Sequence, residues 1–274
     1  MITKKSDKEL AFLYDLFVAP DWGERFGELM DQHLKLPPEG KAIYVSVATG
    51  GHAIALRERS GDKLEMICVE EKPEFLELAQ AKATAANQEV DFRRAPFESL
   101  PLEDNNYDLV IGEASMVARE RVRAMFREMV RVAKPGGRVA LTLTTASSFG
   151  EFFSILWEAL HNCEFVDLES KVERLITELP TVAEIENMAE NEGVDDVESW
   201  TRIEEFDYES GDQFLNAPLV SEFLMKDWLD SVPEAIRERV SNEIARLINE
   251  ERHEAEFALS VKATLVVGRK ALAH

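Results

Sequence analysis

The residues with the clearest chemical potential lie in the stretch AIYVSVATGGHA, Ala42–Ala53. An apolar run ends at Val47, and a helical pattern begins with Ile54. Small residues fill the turn between them: Ala48, Thr49, Gly50 and Gly51. A strand, a small-residue turn and a helix expose backbone N–H groups where a polar ligand group can bind, and glycine lets the ligand approach closely. The same pattern also fits an ordinary tight turn, so other residues must decide between the two interpretations.

Acidic residues close two of the later apolar runs. The run LEMICV, Leu64–Val69, is followed by Glu70 and Glu71. An acid about 20 residues after a glycine turn is where dinucleotide-type sites bind ribose hydroxyls. Glu113 ends the run YDLVIGE and would lie at the carboxyl edge of a parallel sheet. It could orient a ligand or act as a base, or it could be a solvated loop residue.

His52 directly follows the glycines and has two interpretations. It could cap the helix and contact a ligand, or its ring could fill the space that a ligand would need. No Cys/His cluster has the spacing of metal ligands, so the sequence predicts no metal site.

The elements that must position these residues follow an alternating pattern of strands and helices. Pro73 fits the first turn of a helix to about Asn87, and a second helix is predicted over Arg119–Ala133. This alternation predicts an α/β fold, a doubly wound, mostly parallel sheet with helices on both faces. The predicted strands are Ala42–Val47, Leu64–Val69, Val90–Arg93, Tyr107–Ile111, Arg138–Thr144, Trp200–Tyr208 and a cleanly alternating last strand, Phe257–Val267.

Helical additions are expected at both ends of this core. A capping-box pattern at Ser6–Glu9 predicts a first helix that Pro20 ends, and Trp22–Leu34 predicts a second. Ser210–Glu251 is mostly helical, with breaks at Pro218 and Pro233. We expect one domain over residues 1–274, with N-terminal helices (1–40), a core (41–150) and a C-terminal half (151–274). Its residues 209–254 would form a helical cap or an oligomer surface.

Three segments carry a resemblance to a known family: FRRAPFESLP (Phe92–Pro101), YDLVIGE (Tyr107–Glu113) and FREMVRVAKPGGRVALTL (Phe126–Leu143). Their order and spacing resemble class I S-adenosylmethionine-dependent methyltransferases, in the branch with small-molecule acceptors that includes the quinone-biosynthesis enzymes. ESLPLEDNNYDLV and REMVRVAKPGGRVAL are the most specific matches. The resemblance covers Ala42–Leu143 well and the rest more loosely.

The resemblance implies a Rossmann-like fold whose last strand is antiparallel to the others, and S-adenosylmethionine as the cofactor. The turn from Ala48 to His52 would meet the amino-acid portion of the cofactor. Glu70, with Glu71 beside it, would bind the ribose hydroxyls, and Phe97 would pack on the adenine. Glu113 would orient a small-molecule acceptor or serve as its base.

The first motif departs from the family pattern in four places. Ser46 stands where the family has an acid, Ala48 and His52 replace the first and third glycines, and Pro96 replaces an Asp that often holds the adenine. Two hypotheses follow. The chain is an S-adenosylmethionine-dependent methyltransferase, or it is a lapsed methyltransferase-like domain that acts as a binding or scaffolding module.

The composition of the chain limits the kinds of partner that it can bind. The 53 acidic residues outnumber the 31 lysines and arginines, which gives a formal net charge of −22. Such a surface repels phosphate backbones, so we expect no nucleic-acid partner. No run is long enough to span a membrane, the first residues lack a signal-peptide pattern, and the only cysteines are Cys68 and Cys163. We therefore expect a cytoplasmic protein with a small-molecule substrate, and a possible homo-oligomer or protein partner through the C-terminal helices.

Overall fold

The computed structural model describes residues 5–61, 63–230, 232–251 and 256–272. Contacts between residues group the chain into two compact units. In so far as they are described, the first comprises Met1–Leu143, Val182–Thr201 and Ala263–His274, and the second comprises Thr144–Thr181 and Arg202–Lys262. The expectation of one domain with a helical cap stays a prediction.

A seven-stranded sheet has the strand order β3-β2-β1-β4-β5-β7-β6. Strands β1 to β5 pair in parallel, and Ala42 lies between Met66 and Leu109 in that register. The C-terminal strands are antiparallel, which confirms the predicted topology. The strand bounds are β1 Gly40–Val45, β2 Leu64–Glu70, β3 Asp91–Arg94, β4 Tyr107–Glu113, β5 Ala133–Thr144, β6 Val194–Tyr208 and β7 Phe257–Lys270.

The helices surround this sheet in the order expected for a doubly wound fold. Their bounds are α1 Asp7–Leu13, α2 Glu24–His33, α3 Gly51–Arg59, α4 Pro73–Ala85, α5 Arg119–Val132, α6 Gly150–Asn162, α7 Glu169–Glu178, α8 Val182–Asn191, α9 Gly211–Asn216, α10 Met225–Trp228 and α11 Glu234–Glu251. Two π-helical segments, Tyr14–Gly23 and Leu219–Leu224, and a 3-10 turn, Val166–Leu168, complete the elements. None of the described helices is long and apolar enough to cross a membrane.

The core of the first unit forms because apolar residues recur with the period of their element. Along α5 the buried side chains follow helical spacing, and β1 becomes fully buried after its first two residues. The part of β7 that belongs to this unit begins with four consecutive buried residues, Ala263 to Val266, whereas the predicted alternation holds only before them, over Phe257 to Lys262. The α5 side chains in the core include Val122, Met125, Phe126, Met129 and Val130.

The N-terminal segment follows the prediction at its start and departs from it at Pro20. The Ser6 capping box is present, with the Ser6 hydroxyl accepting from the Glu9 N–H and the Glu9 carboxylate accepting from the Ser6 N–H. The prediction that Pro20 ends the first helix was wrong. The chain stays helical through Pro20 because Tyr14–Gly23 forms a π-helix. The regular α-helical hydrogen bonds, to which a proline cannot donate, are already replaced in this segment.

The second unit has an aromatic core of its own. Phe152 of α6 stacks on Trp228 with ring centroids 4.3 Å apart, and Phe214 of α9 contacts Phe152 at 5.5 Å. Helices break at Pro218 and Pro233, as predicted. Residues 252–254 of the predicted cap lie outside the described residues.

Candidate functional site

The turn after β1 has an unusual backbone conformation. Ser46, Ala48 and Gly50 have φ angles of 65°, 48° and 77°, all in the left-handed region. Only glycine adopts that region without strain. A Cβ at Gly50 would also lie 2.8 Å from the Cβ of Ala79, so this glycine is required by close packing of the turn on α4. The turn delivers the chain to α3, which begins at Gly51.

The Glu70 side chain holds this turn. One carboxylate oxygen accepts a hydrogen bond from the backbone N–H of Ala48 at 2.9 Å. The other accepts from the N–H groups of Glu71 at 3.0 Å and Lys72 at 3.1 Å. Glu70 is buried, and burial raises its pKa to about 7 although these hydrogen bonds act to lower it. Glu70 therefore joins the end of β2 to the turn after β1.

A cavity of about 370 Å³ lies at the carboxyl ends of β1 and β4 within the first unit. Open parallel sheets place their ligands at this edge. Five of the nine residues predicted from the sequence line it: Ala48, Thr49, Gly51, His52 and Glu113. Gly50, Glu70, Glu71 and Phe97 are not among its lining residues.

Thr49 carries an unpaired buried hydroxyl at this cavity. The residue is 1% exposed, and its Oγ1 has no hydrogen-bond partner among the described residues. A buried polar atom without a partner costs about 1–3 kcal/mol, so native proteins rarely retain one. A polar ligand in the cavity would supply the missing partner.

Glu113 ends β4 and contributes a carboxylate to the cavity lining. Burial raises its pKa to about 6, although it accepts a hydrogen bond from the backbone N–H of Ser115 at 2.7 Å. The Ser115 hydroxyl in turn accepts from the Trp22 indole N–H at 2.8 Å. At neutral pH most Glu113 side chains would be ionised and able to accept a proton or a cation.

His52 is fixed by hydrogen bonds at both ring nitrogens. Its Nδ1 lies 3.0 Å from the hydroxyl of Tyr44, and its Nε2 lies 3.0 Å from a carboxylate oxygen of Asp31. Burial acts to raise the pKa of Asp31, but hydrogen bonds from His52 and Arg59 outweigh it and lower that pKa. All three members of this Tyr44–His52–Asp31 chain line the cavity. The imidazole therefore joins β1 and α2 to the start of α3.

The N-terminal π-helical segment covers one side of the cavity. Tyr14, Asp15, Ala19, Pro20 and Gly23 of this segment are lining residues. Asp15 forms an ion pair of 2.5 Å with Lys82 of α4, which fastens the segment to the core. Behind it, α2 approaches α3 so closely that a Cβ at Gly27 would lie 3.0 Å from the His52 ring.

Glu71 and Phe97 take part in a separate cluster. Arg121 at the start of α5 donates to both carboxylate oxygens of Glu71, at 2.9 and 2.6 Å, and also pairs with Glu98. The Arg121 guanidinium lies 5.6 Å from the centre of the Phe97 ring, and Phe97 is 3% exposed within the hydrophobic core. Adenine packing by Phe97 stays a prediction, and it would need the arginine to move from the ring.

A larger groove of about 970 Å³ runs along β2, β3 and the end of α4. Residues 95–106 connect β3 to β4 without a helix, which leaves this part of the sheet uncovered. None of the nine predicted site residues lines it. In the described part of the chain, no three His, Cys, Asp or Glu side chains are arranged to hold a metal ion.

Comparison with known proteins agrees with this geometry. Residues 43–137, which contain the turn, Glu70 and Glu113, match the family described as "Methyltransferase domain". The matched segment is therefore similar to class I methyltransferase domains. The ubiquinone/menaquinone biosynthesis C-methyltransferase UbiE of Geotalea daltonii is 28% identical over 113 residues, which cover 39% of this chain. The chain spans 47% of that relative's length.

Solved structures share the fold of this methyltransferase domain. The YcgJ protein of Bacillus subtilis matches with a TM-score of 0.59 and 17% identity over 91% of this chain and 100% of its own. Phosphoethanolamine N-methyltransferase 2 of Haemonchus contortus, solved with phosphomonomethylethanolamine and S-adenosylhomocysteine, matches with a TM-score of 0.58 and 14% identity. That match covers 98% of this chain and 59% of the other.

Several residues at the methyltransferase cavity escaped the sequence interpretation. Tyr44 lies inside an apolar strand, and its sequence position indicates a core residue. Asp15, Asp31 and Lys82 belong to helices, and no local sequence pattern reveals that these helices approach the cavity. Tyr44 offered one signal, since it is a polar-tipped residue near the carboxyl end of β1. The other three offered none, because their contacts depend on tertiary packing.

Proposed function

We propose that this chain transfers a methyl group from S-adenosylmethionine to a small-molecule acceptor. The observation that carries the proposal is the buried, unpaired Thr49 hydroxyl at the cavity beside the turn of the methyltransferase domain. Buried polar atoms of native proteins are nearly always hydrogen-bonded, so an unpaired one calls for an explanation, and a bound ligand supplies one. The relatives' names, including a quinone-biosynthesis C-methyltransferase, favour the same reaction class.

The residues present fit the cofactor. The first turn of α3 presents backbone N–H groups that suit the carboxylate of the methionine portion, and Thr49 adds a hydroxyl. A carboxylate has about four acceptor sites, and three backbone N–H groups occupy sites on Glu70. Its remaining site could accept a ribose hydroxyl, but Glu70 is buried and does not line the cavity, so this contact stays a prediction. The acidic lining suits a ligand that carries positive charge on sulfur and on its amino group.

The chain's own residues would position the acceptor and exclude water. When bound, S-adenosylmethionine supplies a methyl group activated by a positively charged sulfur. Glu113 would orient the acceptor at the end of β4 and take its proton, since its pKa of about 6 leaves the carboxylate ionised at neutral pH. The segment Tyr14–Gly23, anchored through Trp22 to Ser115, would keep solvent from the reacting atoms.

Thermal unfolding with added ligand tests this proposal. A ligand at 100 times its Kd adds about 2.7 kcal/mol to the unfolding free energy, and each kcal/mol shifts the Tm of a chain this size by roughly 2–4 °C. We expect S-adenosylmethionine or S-adenosylhomocysteine to raise the Tm by several degrees. Because the substituted glycine positions predict weak binding, the titration extends to millimolar ligand.

Two variants accompany the titration. Glu70→Ala should lose most of the shift because both the turn and the ribose contact depend on its carboxylate. Glu77→Ala, on the exposed face of α4, removes the same charge and should keep the shift. No shift at millimolar ligand in the wild-type protein would contradict the proposal.

A second function, that of a binding module without cofactor, is favoured by one observation. His52 stands at the third glycine position of the motif, lines the cavity and is held at both ring nitrogens. If the wild-type protein binds no cofactor and His52→Gly does, the ring occupies the cofactor's place and the domain has lapsed. If the wild-type protein binds it, this second function is wrong.

A further inference from the structure

We propose that the methyl acceptor is an amine that enters the cavity as a cation, because the cavity at the carboxyl ends of β1 and β4 is lined by Glu113, by further carboxyl groups and by two tyrosines. This inference rests on the proposed methyl-transfer function and names its substrate class. The unpaired, buried Thr49 hydroxyl, which the proposed function assigns to the cofactor, marks the same cavity as a ligand site.

The charges of the lining are strongly unequal. One lysine, Lys82, and one histidine, His52, face five carboxyl groups: Asp15, Glu24, Glu28, Asp31 and Glu113. Lys82 is paired with Asp15 at 2.5 Å, and Asp31 already holds Arg59 at 2.8 Å as well as His52. The positive groups at the cavity are therefore committed to Asp15 and Asp31, and Glu24 and Glu113 leave the lining with an excess of negative charge. Such a lining attracts cations.

Glu113 is the carboxylate best placed to bind that cation. Its hydrogen-bond donors are the backbone N–H and the side chain of Ser115, and among the described residues no lysine, arginine or histidine forms an ion pair with it. Taking a carboxylate out of water without a cation is costly, and a charged ligand would offset that cost. The same carboxylate can accept two N–H groups of an ammonium ion.

Two aromatic side chains line the same cavity as this carboxylate. Tyr14 and Tyr44 are both lining residues, and both are buried. Burial raises the pKa of each hydroxyl, and the negative charge of Glu113 raises it further. Aromatic ring faces attract ammonium groups, most strongly where water is excluded. A cavity lined by a carboxylate and two tyrosines suits a partly methylated amine better than a neutral hydroxyl compound.

The same residues account for the proton balance of the transfer. An ammonium ion must first lose a proton, which passes to the Glu113 carboxylate. The nitrogen lone pair then forms the new N–CH3 bond while the S–CH3 bond of the sulfonium donor breaks, and the bonding electrons remain on sulfur as a thioether. Glu113 returns the proton to water when the product leaves.

A matched pair of probes tests the charge requirement. Choline and 3,3-dimethylbutan-1-ol have nearly the same shape, but only choline is cationic. Each is titrated calorimetrically into the full-length protein saturated with S-adenosylhomocysteine. We expect choline to bind at least tenfold more tightly than the neutral alcohol. Glu113→Gln should lower choline affinity at least tenfold and leave the alcohol unchanged, and the remote Glu77→Gln should change neither.

The outcomes separate this inference from the proposed function. The heat of S-adenosylhomocysteine binding is measured first, and its absence contradicts methyl transfer itself. If S-adenosylhomocysteine binds but the two probes bind equally, or neither binds, the amine inference is overturned and the methyltransferase stands. Loss of the choline preference in Glu77→Gln would also overturn the amine inference, since a charge remote from the cavity would then produce the preference.

Discussion

The backbone N–H of Ala48 donates to the Glu70 carboxylate across 2.9 Å, although Ala48 follows β1 and Glu70 is the last residue of β2. The bond joins the turn after β1 to the end of β2. Because Glu70 also accepts from Glu71 and Lys72, one buried side chain organises two connections at the cavity edge. A residue predicted to bind a ligand thus has a structural task as well.

The first prediction concerns the pH dependence of this carboxyl group. Burial raises the pKa of Glu70 from 4.5 to about 7 in the folded protein. The folded state therefore holds the proton more tightly than the unfolded state, and this contribution to stability is lost as pH rises from 4.5 through 7. Relative to Glu70→Gln, the wild-type protein should lose roughly 2–3 kcal/mol of unfolding free energy between pH 5 and pH 8.

Urea denaturation at a series of pH values measures that difference. Glu77→Gln removes an exposed carboxyl group of α4 and serves as the control, with a curve that should run parallel to the wild type. If the wild-type and Glu70→Gln curves also run parallel, Glu70 is not a buried titrating group.

The second prediction concerns strain at Ala48. Its φ of 48° places an alanine in the left-handed region, which costs about 1 kcal/mol for a residue with a Cβ. Ala48→Gly should therefore raise the unfolding free energy by about 0.5–1 kcal/mol. The exposed Ala81 in α4 offers the matched control, since Ala81→Gly should lower the unfolding free energy by about 1 kcal/mol. Equal losses in both variants would show that the turn is not strained.

The fold was largely predictable because it follows from periodicity. An apolar run such as Leu64–Val69 fits an inner strand of the sheet. The spacing of Val122, Met125 and Met129 places all three side chains on one face of a helix. Local patterns also indicated the turn at Gly50 and the acid at Glu70. They missed the first residues of β6, because the acidic sequence VDDVES has no strand pattern. Pairing with β7 in the sheet makes these residues a strand.

The site was predictable only in part because its cover comes from distant residues. Asp31 meets His52, and Asp15 meets Lys82, through contacts between helices far apart in sequence. The burial of Phe97 under Arg121 is likewise a tertiary effect. Motifs indicate which residues end strands, whereas the packing of helices decides which side chains face the cavity.

The third prediction tests the close approach of α2 to α3. A Cβ at Gly27 would lie 3.0 Å from the His52 ring, and that ring is held on both sides by Tyr44 and Asp31. Gly27→Ala should therefore lower the unfolding free energy by about 1–3 kcal/mol. At Gly23 a Cβ would meet its nearest neighbours at 3.8 Å, so Gly23→Ala should be neutral or slightly stabilising. Denaturation of both variants measures the difference, and equal effects would contradict the described packing.

The most direct test of the central claim is calorimetric titration of S-adenosylhomocysteine into the wild-type protein, Thr49→Val and Thr49→Ser. Because the Thr49 hydroxyl is buried and lacks a partner among the described residues, Thr49→Val should raise the unfolding free energy of the free protein by about 1 kcal/mol. It should also weaken ligand binding about tenfold, or 1.4 kcal/mol, while Thr49→Ser binds like the wild type. Binding at one site with this pattern is the predicted result. No heat at millimolar ligand, or equal affinity in Thr49→Val and the wild type, would contradict the account.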